Sequence, residues 1–459
     1  MNETIITRLA GFVANARYDD LPEEMSEKAR LHILDTFGAA LAGATSEEAI
    51  HTRTTLGHLD GPGQAQLWGT DMRLPPRGAA MVNGVAAHAF ELDDTGGCDH
   101  SGAVVLPAAM ATLPLIDGPV DGRCFITAVA LGYDIGRRVM DGFGGYVAHN
   151  SAGWHSTGTC GVFAAATAVA SMLRLDAKET ASCLGLAASF SSGLWGFIHD
   201  GAMAKRVHAG RAAEGGLLAA LLARQGVTGP HNAFEDVWGG FFKTYAHGPL
   251  APEALTHKLG SDWLLRHAAI KPYASCRDTH AAVDAIGRVM AREGLQPNEI
   301  TRVGARLNSF LDGMVGGRSV ETLPAAQLSL PYAVAARLCF GTAGLSAYSA
   351  ESRASSELAT TLDKITIEID ETVTASWKSS IIVETRDGRR IEEETTVQLG
   401  APDNPLSIEL LRAKFDELAG LVLPRKQVDA LAETVLGLDR LPDAKALLPL
   451  LQRTSGRAG

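Results

Sequence analysis

The sequence predicts a mainly α fold into which a smaller α+β unit is inserted. Three observations point there. Apolar residues recur at helical spacing through residues 1 to about 265, the pattern changes to strand-like alternation after residue 298, and helical spacing returns after Pro405. With 459 residues, 46% hydrophobic and 20% charged, the chain is long enough for two such units and has the composition of a soluble globular protein.

Residues 3–16 and 22–43 read as amphipathic helices. The second begins with Pro22 and two glutamates, which suit the free N–H groups and positive dipole end of a helix start. Leu31, Ile33, Leu34, Phe37 and Leu41 form its apolar stripe. Residues 44–75 are mixed, with Gly61-Pro62-Gly63 and Pro75-Pro76 marking loops. Small apolar residues at 78–90 and 102–113 predict two buried helices, and 123–140 a third. The stretch 146–159 reads as a Gly- and His-containing loop, 160–174 and 176–190 as Ala-rich helices, and 191–204 as irregular. Residues 204–226 form a helix that starts basic and ends apolar, and no convincing strand ladder occurs up to this point.

Strands are expected at 298–308, 363–370 and 379–399, the last a hairpin around Asp387-Gly388, with a helix at 328–341 between them. Residues 407–422 and 425–438 return to helix and are expected to pack back on the first unit. The predicted division is a discontinuous helical domain, 1–267 and 403–459, and an α+β domain, 268–402. The tail after Leu451 is expected to fray.

A net charge of −11 argues against generic nucleic-acid binding. The six cysteines are scattered without a CxxC pair, which fits reduced thiols rather than a disulfide framework. The N-terminus lacks the pattern of a signal peptide, and no run of about 18 apolar residues could span a membrane. The expected location is cytoplasmic.

Four stretches carry candidate chemistry. In HAFELDDTGGCDHSGAVVLP, residues 88–107, the groups His88, Glu91, Asp93, Asp94, Thr95, Cys98, Asp99 and His100 lie between two apolar segments. Buried carboxylates and imidazoles must pair or do chemistry. His88 and Glu91, three apart, suit one helix face, but no second such pair completes a metal ligand set, so no metal is expected. His100 suits acid–base work near neutral pH, with Asp99 and Glu91 orienting it. In GWHSTG, small residues and two hydroxyls surround His155 at a helix start. DGAMAKRVHAGR gathers Lys205, Arg206, His208 and Arg211 among apolar neighbours, a cationic lining for a carboxylate. IKPYASCRDTH places Lys271, Cys276, Arg277 and His280 at the predicted domain boundary, where ligand sites are common. Cys276 as a thiol nucleophile has no paired base to support it. No P-loop, GxSxG or strand-borne GxGxxG occurs.

HAFELDDT with HSGAVVLPAA, GYDIGRRV, GWHSTGTCGVFAAATAVA, AKRVHAGRAAEGG, IKPYASCRDTH and LSLPYAVAARL, in this order along nearly the whole chain, resemble the MmgE/PrpD family. Its members include 2-methylcitrate dehydratase, cis-aconitate decarboxylase and iminodisuccinate epimerase. The resemblance implies a helical domain built from both chain ends, a smaller α+β lid, a homodimer, and an active site between the domains that needs no cofactor or metal. It also implies that the first acid and the threonine of the family's DxDDT motif fall on Glu91 and Thr95. The loop histidine falls on His100, the second histidine on His155, and the two lysines on Lys205 and Lys271. Glu91 and Cys276 depart from the decarboxylase pattern.

The expected function is a cofactor-independent lyase, a dehydratase or decarboxylase, acting on a small di- or tricarboxylic acid of the 2-methylcitrate or cis-aconitate type. Proton transfer next to a carboxylate is its expected chemistry. His100, His155, Lys205 and Lys271 are the expected catalytic groups. Glu91, Asp93, Thr95, His208, Cys276, Arg277 and Tyr332 are expected at the substrate. The alternatives are an epimerase of an iminodisuccinate-like dicarboxylate and a carboxylate-binding protein without turnover.

Overall fold

Two hydrophobic cores sit side by side in the computed structural model, which describes residues 3–373 and 379–453. The far end of the tail expected to fray lies outside them. The larger core gathers helices from the first 270 residues together with Leu411, Phe415, Leu431, Val435 and Leu451. The C-terminal helices Ile408–Ala419 and Arg425–Leu436 therefore pack on the N-terminal region, chiefly against helix Glu23–Gly43. The smaller core gathers the region from Ala274 to Val383, and Ala39, Leu92, Phe197 and Leu418 join it from the helical side. The fold is thus mainly α with an α+β portion.

The helical region contains Ile5–Asn15, Glu23–Gly43, Pro76–His88, Gly102–Thr112, Gly122–Gly142, Gly161–Met172, Ala177–Phe190 and Ala204–Arg224. Three features differ from expectation. Glu47–Asp60 is a helix where only mixed structure was read; just Glu48 and Ala49 are buried, so it carries no apolar stripe. Ala65–Gln66 and Arg73–Leu74 form a short antiparallel pair in a region expected to lack strands. The loop read at 146–159 contains two helical turns, Tyr146–Asn150 and Ser156–Thr159.

The smaller unit has a four-stranded sheet, ordered Ile365–Ile369, Ile300–Leu307, Ser379–Thr385, Arg390–Thr395. The first pair is parallel and the other two are antiparallel. Gly388, with φ 84°, turns the hairpin where Asp387-Gly388 was read. Helices His280–Glu293 and Leu330–Phe340 pack with this sheet, and the first of them was not anticipated.

One close crossing places the future site. Helix Ala204–Arg224 meets Pro76–His88 at Gly210 and Gly84. A Cβ on Gly210 would lie 2.3 Å from the Met81 carbonyl oxygen, so only glycine allows the backbones this near. That approach carries Lys205, at the start of one helix, beside the chain leaving the end of the other.

Candidate active site

Helix Pro76–His88 ends at His88, and Glu91 follows in a left-handed conformation with φ 55°. One helix face therefore does not present both residues; the turn aims the Glu91 carboxylate instead. Asp99 is also left-handed, with φ 99°. Such conformations cost non-glycine residues on the order of 1–3 kcal/mol and persist where surrounding contacts hold them. Asp94 provides one such hold. Its Oδ1 accepts from Gly102 N–H at 2.9 Å, at the start of helix Gly102–Thr112, and its Oδ2 meets His32 Nδ1 at 2.8 Å and the Tyr133 hydroxyl at 2.5 Å. On the other side, Thr95 and Ala269 exchange two backbone hydrogen bonds, 2.9 and 2.7 Å, and tie the loop to the segment carrying Lys271.

Two ammonium groups converge on Glu91. Lys205 Nζ lies 2.5 Å from Oε1 and Lys271 Nζ 3.0 Å from Oε2, all three side chains being buried. Arg206 stands 3.5 Å from Oε1 and donates to Gln327 Oε1 at 2.7 Å. Burial opposes the charge on Glu91, but Lys205 and Lys271 overcome it and hold the carboxyl well below its usual range. Burial likewise opposes the charge on Lys271, and Glu91 reverses that, raising its pKa. Three cations thus face the Glu91 carboxylate, and the charge of Asp93 also acts on Lys271. Lys414 braces it from the C-terminal helix, donating to the carbonyls of Leu92 and Lys271 and to Asp35 at 2.6–2.7 Å.

Three buried imidazoles lie alongside. His88 Nδ1 is 3.1 Å from both Asp93 oxygens, and His100 Nδ1 is 2.8 Å from the Asp94 carbonyl and 3.1 Å from Asp93 Oδ2. Ring centroids of His88 and His100 are 4.2 Å apart, and those of His100 and His155 6.4 Å. Asp99 Oδ2 faces Nε2 of both His100, at 3.6 Å, and His155, at 3.9 Å. The environments push these rings apart. Burial disfavours charge on His100, but Asp99 and Asp93 outweigh it and raise its pKa. Burial, then Lys205, holds His155 well below its usual value. Burial takes His88 down to about 4 despite Asp93. His100, raised, thus stands near His155, lowered, and a pair of rings whose basicities are pushed apart suits acid–base catalysis.

The structure brings His100, His155, Lys205, Lys271, Glu91 and Asp93 together. Glu91 pairs with the lysines, and Asp93 bridges the imidazoles of His88 and His100. Thr95 donates to Asp99 Oδ1 at 3.1 Å, and His208 meets His155. Cys276 is buried, and burial, then Asp278, pushes its thiol up to about 12, so no thiolate is available. Arg277 and Tyr332 make other contacts. The Arg277 guanidinium turns to the Leu399 carbonyl and His280, and the Tyr332 hydroxyl donates to the Ala347 carbonyl within the smaller core. Neither touches the cluster among the described residues. Sequence reasoning missed Lys414, which has no local signature, and gave Asp94 no anchoring role.

Read along the chain, no metal ligand set was apparent; in space one ring nitrogen from each of His88, His100 and His155 lies within 4.8 Å of the others. Lys205 and Lys271 place two positive charges beside this group, which suits an anion better than a divalent cation. Activity should therefore survive exhaustive chelation; loss on chelation with recovery by one divalent ion would contradict this.

His149, outside the cluster, offers a stability test. Its ring stacks on Phe143 at 3.9 Å, its Nε2 meets Thr159 Oγ1 at 2.6 Å, and burial lowers its pKa from 6.5 to about 4. A depressed folded-state value means stability present above pH 6.5 and lost as pH falls toward 4. One such histidine accounts for on the order of 3 kcal/mol. Urea melts should show wild type losing stability from pH 7 to 4.5 more steeply than His149→Gln; parallel losses would refute the assignment.

The site belongs to a recognisable class. The MmgE/PrpD N-terminal domain matches residues 7–253 and the MmgE/PrpD C-terminal domain matches residues 273–440. The chain belongs to the MmgE/PrpD family. It is 30% identical over 475 residues to a cis-aconitate decarboxylase of Aspergillus terreus, covering 97% of this chain and 96% of the relative. A cis-aconitate decarboxylase-like protein of Aspergillus oryzae is 28% identical, with 97% of each chain covered. The cis-aconitate decarboxylase of Mus musculus is 27% identical, covering 99% of this chain and 95% of the relative. No helix among the described residues is long and apolar enough to cross a membrane.

Proposed function

We propose that this protein is a cofactor-independent lyase that acts on a small di- or tricarboxylic acid by proton transfer next to a carboxylate. The observation that carries the reading is the convergence of Lys205 and Lys271 on one carboxylate, beside two histidines whose pKa values are shifted in opposite directions. A substrate carboxylate entering this corner shares the ammonium groups with Glu91. The same charges stabilise the enolate-like electron pair that forms when a neighbouring bond breaks. In a decarboxylation the C–C bond breaks, CO₂ leaves, and a histidine N–H supplies the proton that forms the new C–H bond. In a dehydration a histidine removes the carbon-bound proton and hydroxide leaves with a proton from an acid. The names of the relatives support decarboxylation of cis-aconitate as the first reaction to try.

The pairing of His100, its pKa raised, with His155, its pKa lowered, equally suits an epimerase, which removes a proton from one face of a carbon and returns one to the other. An NMR survey of candidate di- and tricarboxylic acids in D₂O separates these readings. The lyase reading expects an alkene or CO₂ from one acid. Deuterium exchange with no group lost would replace it with epimerisation, and binding without exchange or product would replace both with a carboxylate-binding protein.

A further inference from the structure

His155 does not stand alone. Its Nδ1 lies 3.1 Å from Nδ1 of His208. A nitrogen–nitrogen contact of this length is a hydrogen bond only if one of the two atoms carries a proton and the other a lone pair. Burial keeps both rings neutral: His155 lies well below its usual pKa, and His208 falls to about 4, Lys205 reinforcing burial in each case. One proton is therefore shared along this line, and its position fixes the tautomer of both rings.

The surroundings choose the resting arrangement. His155 Nε2 is buried, has no hydrogen-bond partner among the described residues, and faces the Asp99 carboxylate at 3.9 Å. A proton on that nitrogen points its positive end at the carboxylate; a lone pair there would face negative charge. The resting His155 thus carries Nε2–H and accepts at Nδ1, and His208 donates from Nδ1. That leaves the His208 Nε2 lone pair free. His208 is only partly buried, next to the irregular segment 191–203, where Leu194 is 58% exposed and Met203 38%. The contact is built in rather than incidental. Gly193 has φ 119°, a conformation that side chains rarely adopt, and a Cβ there would sit 3.2 Å from His208 Cγ and Nδ1, close enough to press on the ring. The Gly193 carbonyl also accepts from His155 N–H at 3.1 Å, so one glycine holds both rings in register.

We propose that His208 is the relay through which His155 exchanges protons with solvent, and that the direction of their hydrogen bond sets whether His155 faces the substrate as acid or base. The inward transfer balances. Water delivers a proton to His208 Nε2, the Nδ1–H proton of His208 passes to Nδ1 of His155, and the Nε2–H proton of His155 forms the new C–H bond. Both rings end neutral, with the shared proton now on His155 Nδ1 and a lone pair on His155 Nε2. In that state His155 is a base, and a proton travelling outward restores the first state. When the reaction only adds protons to carbon, the rings reset by tautomer exchange through water at His208.

The inference rests on the acid–base reading of the site, so its test has one readout that needs no turnover. Selective ¹⁵N-histidine labelling reports each ring's tautomer in the resting protein. The expected spectrum has His155 protonated at Nε2 and His208 at Nδ1, and in His208→Ala the His155 tautomer preference weakens. A His155 protonated at Nδ1, or a tautomer indifferent to His208→Ala, overturns the coupling whatever the substrate proves to be. The second readout is kinetic. In His208→Ala and His208→Gln, kcat should fall about 10–100-fold in weak buffer with KM little changed, and imidazole should restore it saturably, as a diffusible carrier replaces the relay. The Gln side chain keeps a donor to His155 Nδ1 but cannot pass a proton, so its rescue separates relay from positioning. Unchanged kcat, or loss that imidazole does not touch in either variant, overturns the relay.

Discussion

His100→Asn should fold, bind a dicarboxylate inhibitor, and lose about 10²–10⁴ in kcat, the usual cost of removing a positioned acid or base. The fold should survive because an asparagine amide can still donate toward the Asp94 carbonyl, which His100 Nδ1 meets at 2.8 Å. Asp94 itself keeps its contacts to Gly102, His32 and Tyr133. Asp99 and Asp93 raise the His100 pKa against burial, which favours this ring over His88 and His155 as the proton-carrying group. Its loss should also slow the entry of solvent deuterium into the reacting carbon. A purely structural role predicts a lower melting temperature with normal turnover per folded molecule. A stable variant with near-normal kcat would leave proton transfer to His155 alone.

Lys205→Ala should lower kcat/KM by at least about 10–100-fold, since a charge-assisted contact is worth roughly 1.5–3 kcal/mol. Removing one partner of a buried ion pair usually destabilises by about 3–5 kcal/mol when the other charge is left alone. Glu91 is not left alone here, because Lys271 at 3.0 Å and Arg206 at 3.5 Å remain beside it. The variant should therefore fold, and the loss should appear in binding and turnover. It should be larger for dicarboxylates than for monocarboxylates, because the latter need no second anion site. Normal kcat/KM on the best substrate would remove Lys205 from the account.

The chemistry was legible as residue types, and its assembly was not. HAFELDDTGGCDH, GWHSTG, AKRVH and IKPY each showed unusual ionisable groups among apolar neighbours. Nothing within those strings fixes how they meet. The Gly84–Gly210 crossing that delivers Lys205, the Thr95–Ala269 bridge that delivers Lys271, and the Lys414 brace join positions far apart in sequence. The same limit explains Arg277 and Tyr332: charge and hydroxyl were visible, but their commitment to the Leu399 and Ala347 carbonyls was not. Periodicity served where one face is buried. It failed at Glu47–Asp60, which is mostly solvated, whereas His280–Glu293 had a readable stripe in Val283, Ile286 and Val289 and a stop at Gly294. The Asp99 conformation needed coordinates, since a positive φ at aspartate is written in its surroundings.

The most direct measurement is a crystal structure of the protein with a bound dicarboxylate inhibitor, read for the distances from the Lys205 and Lys271 Nζ atoms to the ligand. The account predicts that one ligand carboxylate lies within hydrogen-bond reach of both ammonium groups, with the adjacent carbon facing Nε2 of His100 or His155. A ligand bound with full occupancy elsewhere, with Glu91 still the sole anion between the two lysines, would contradict it.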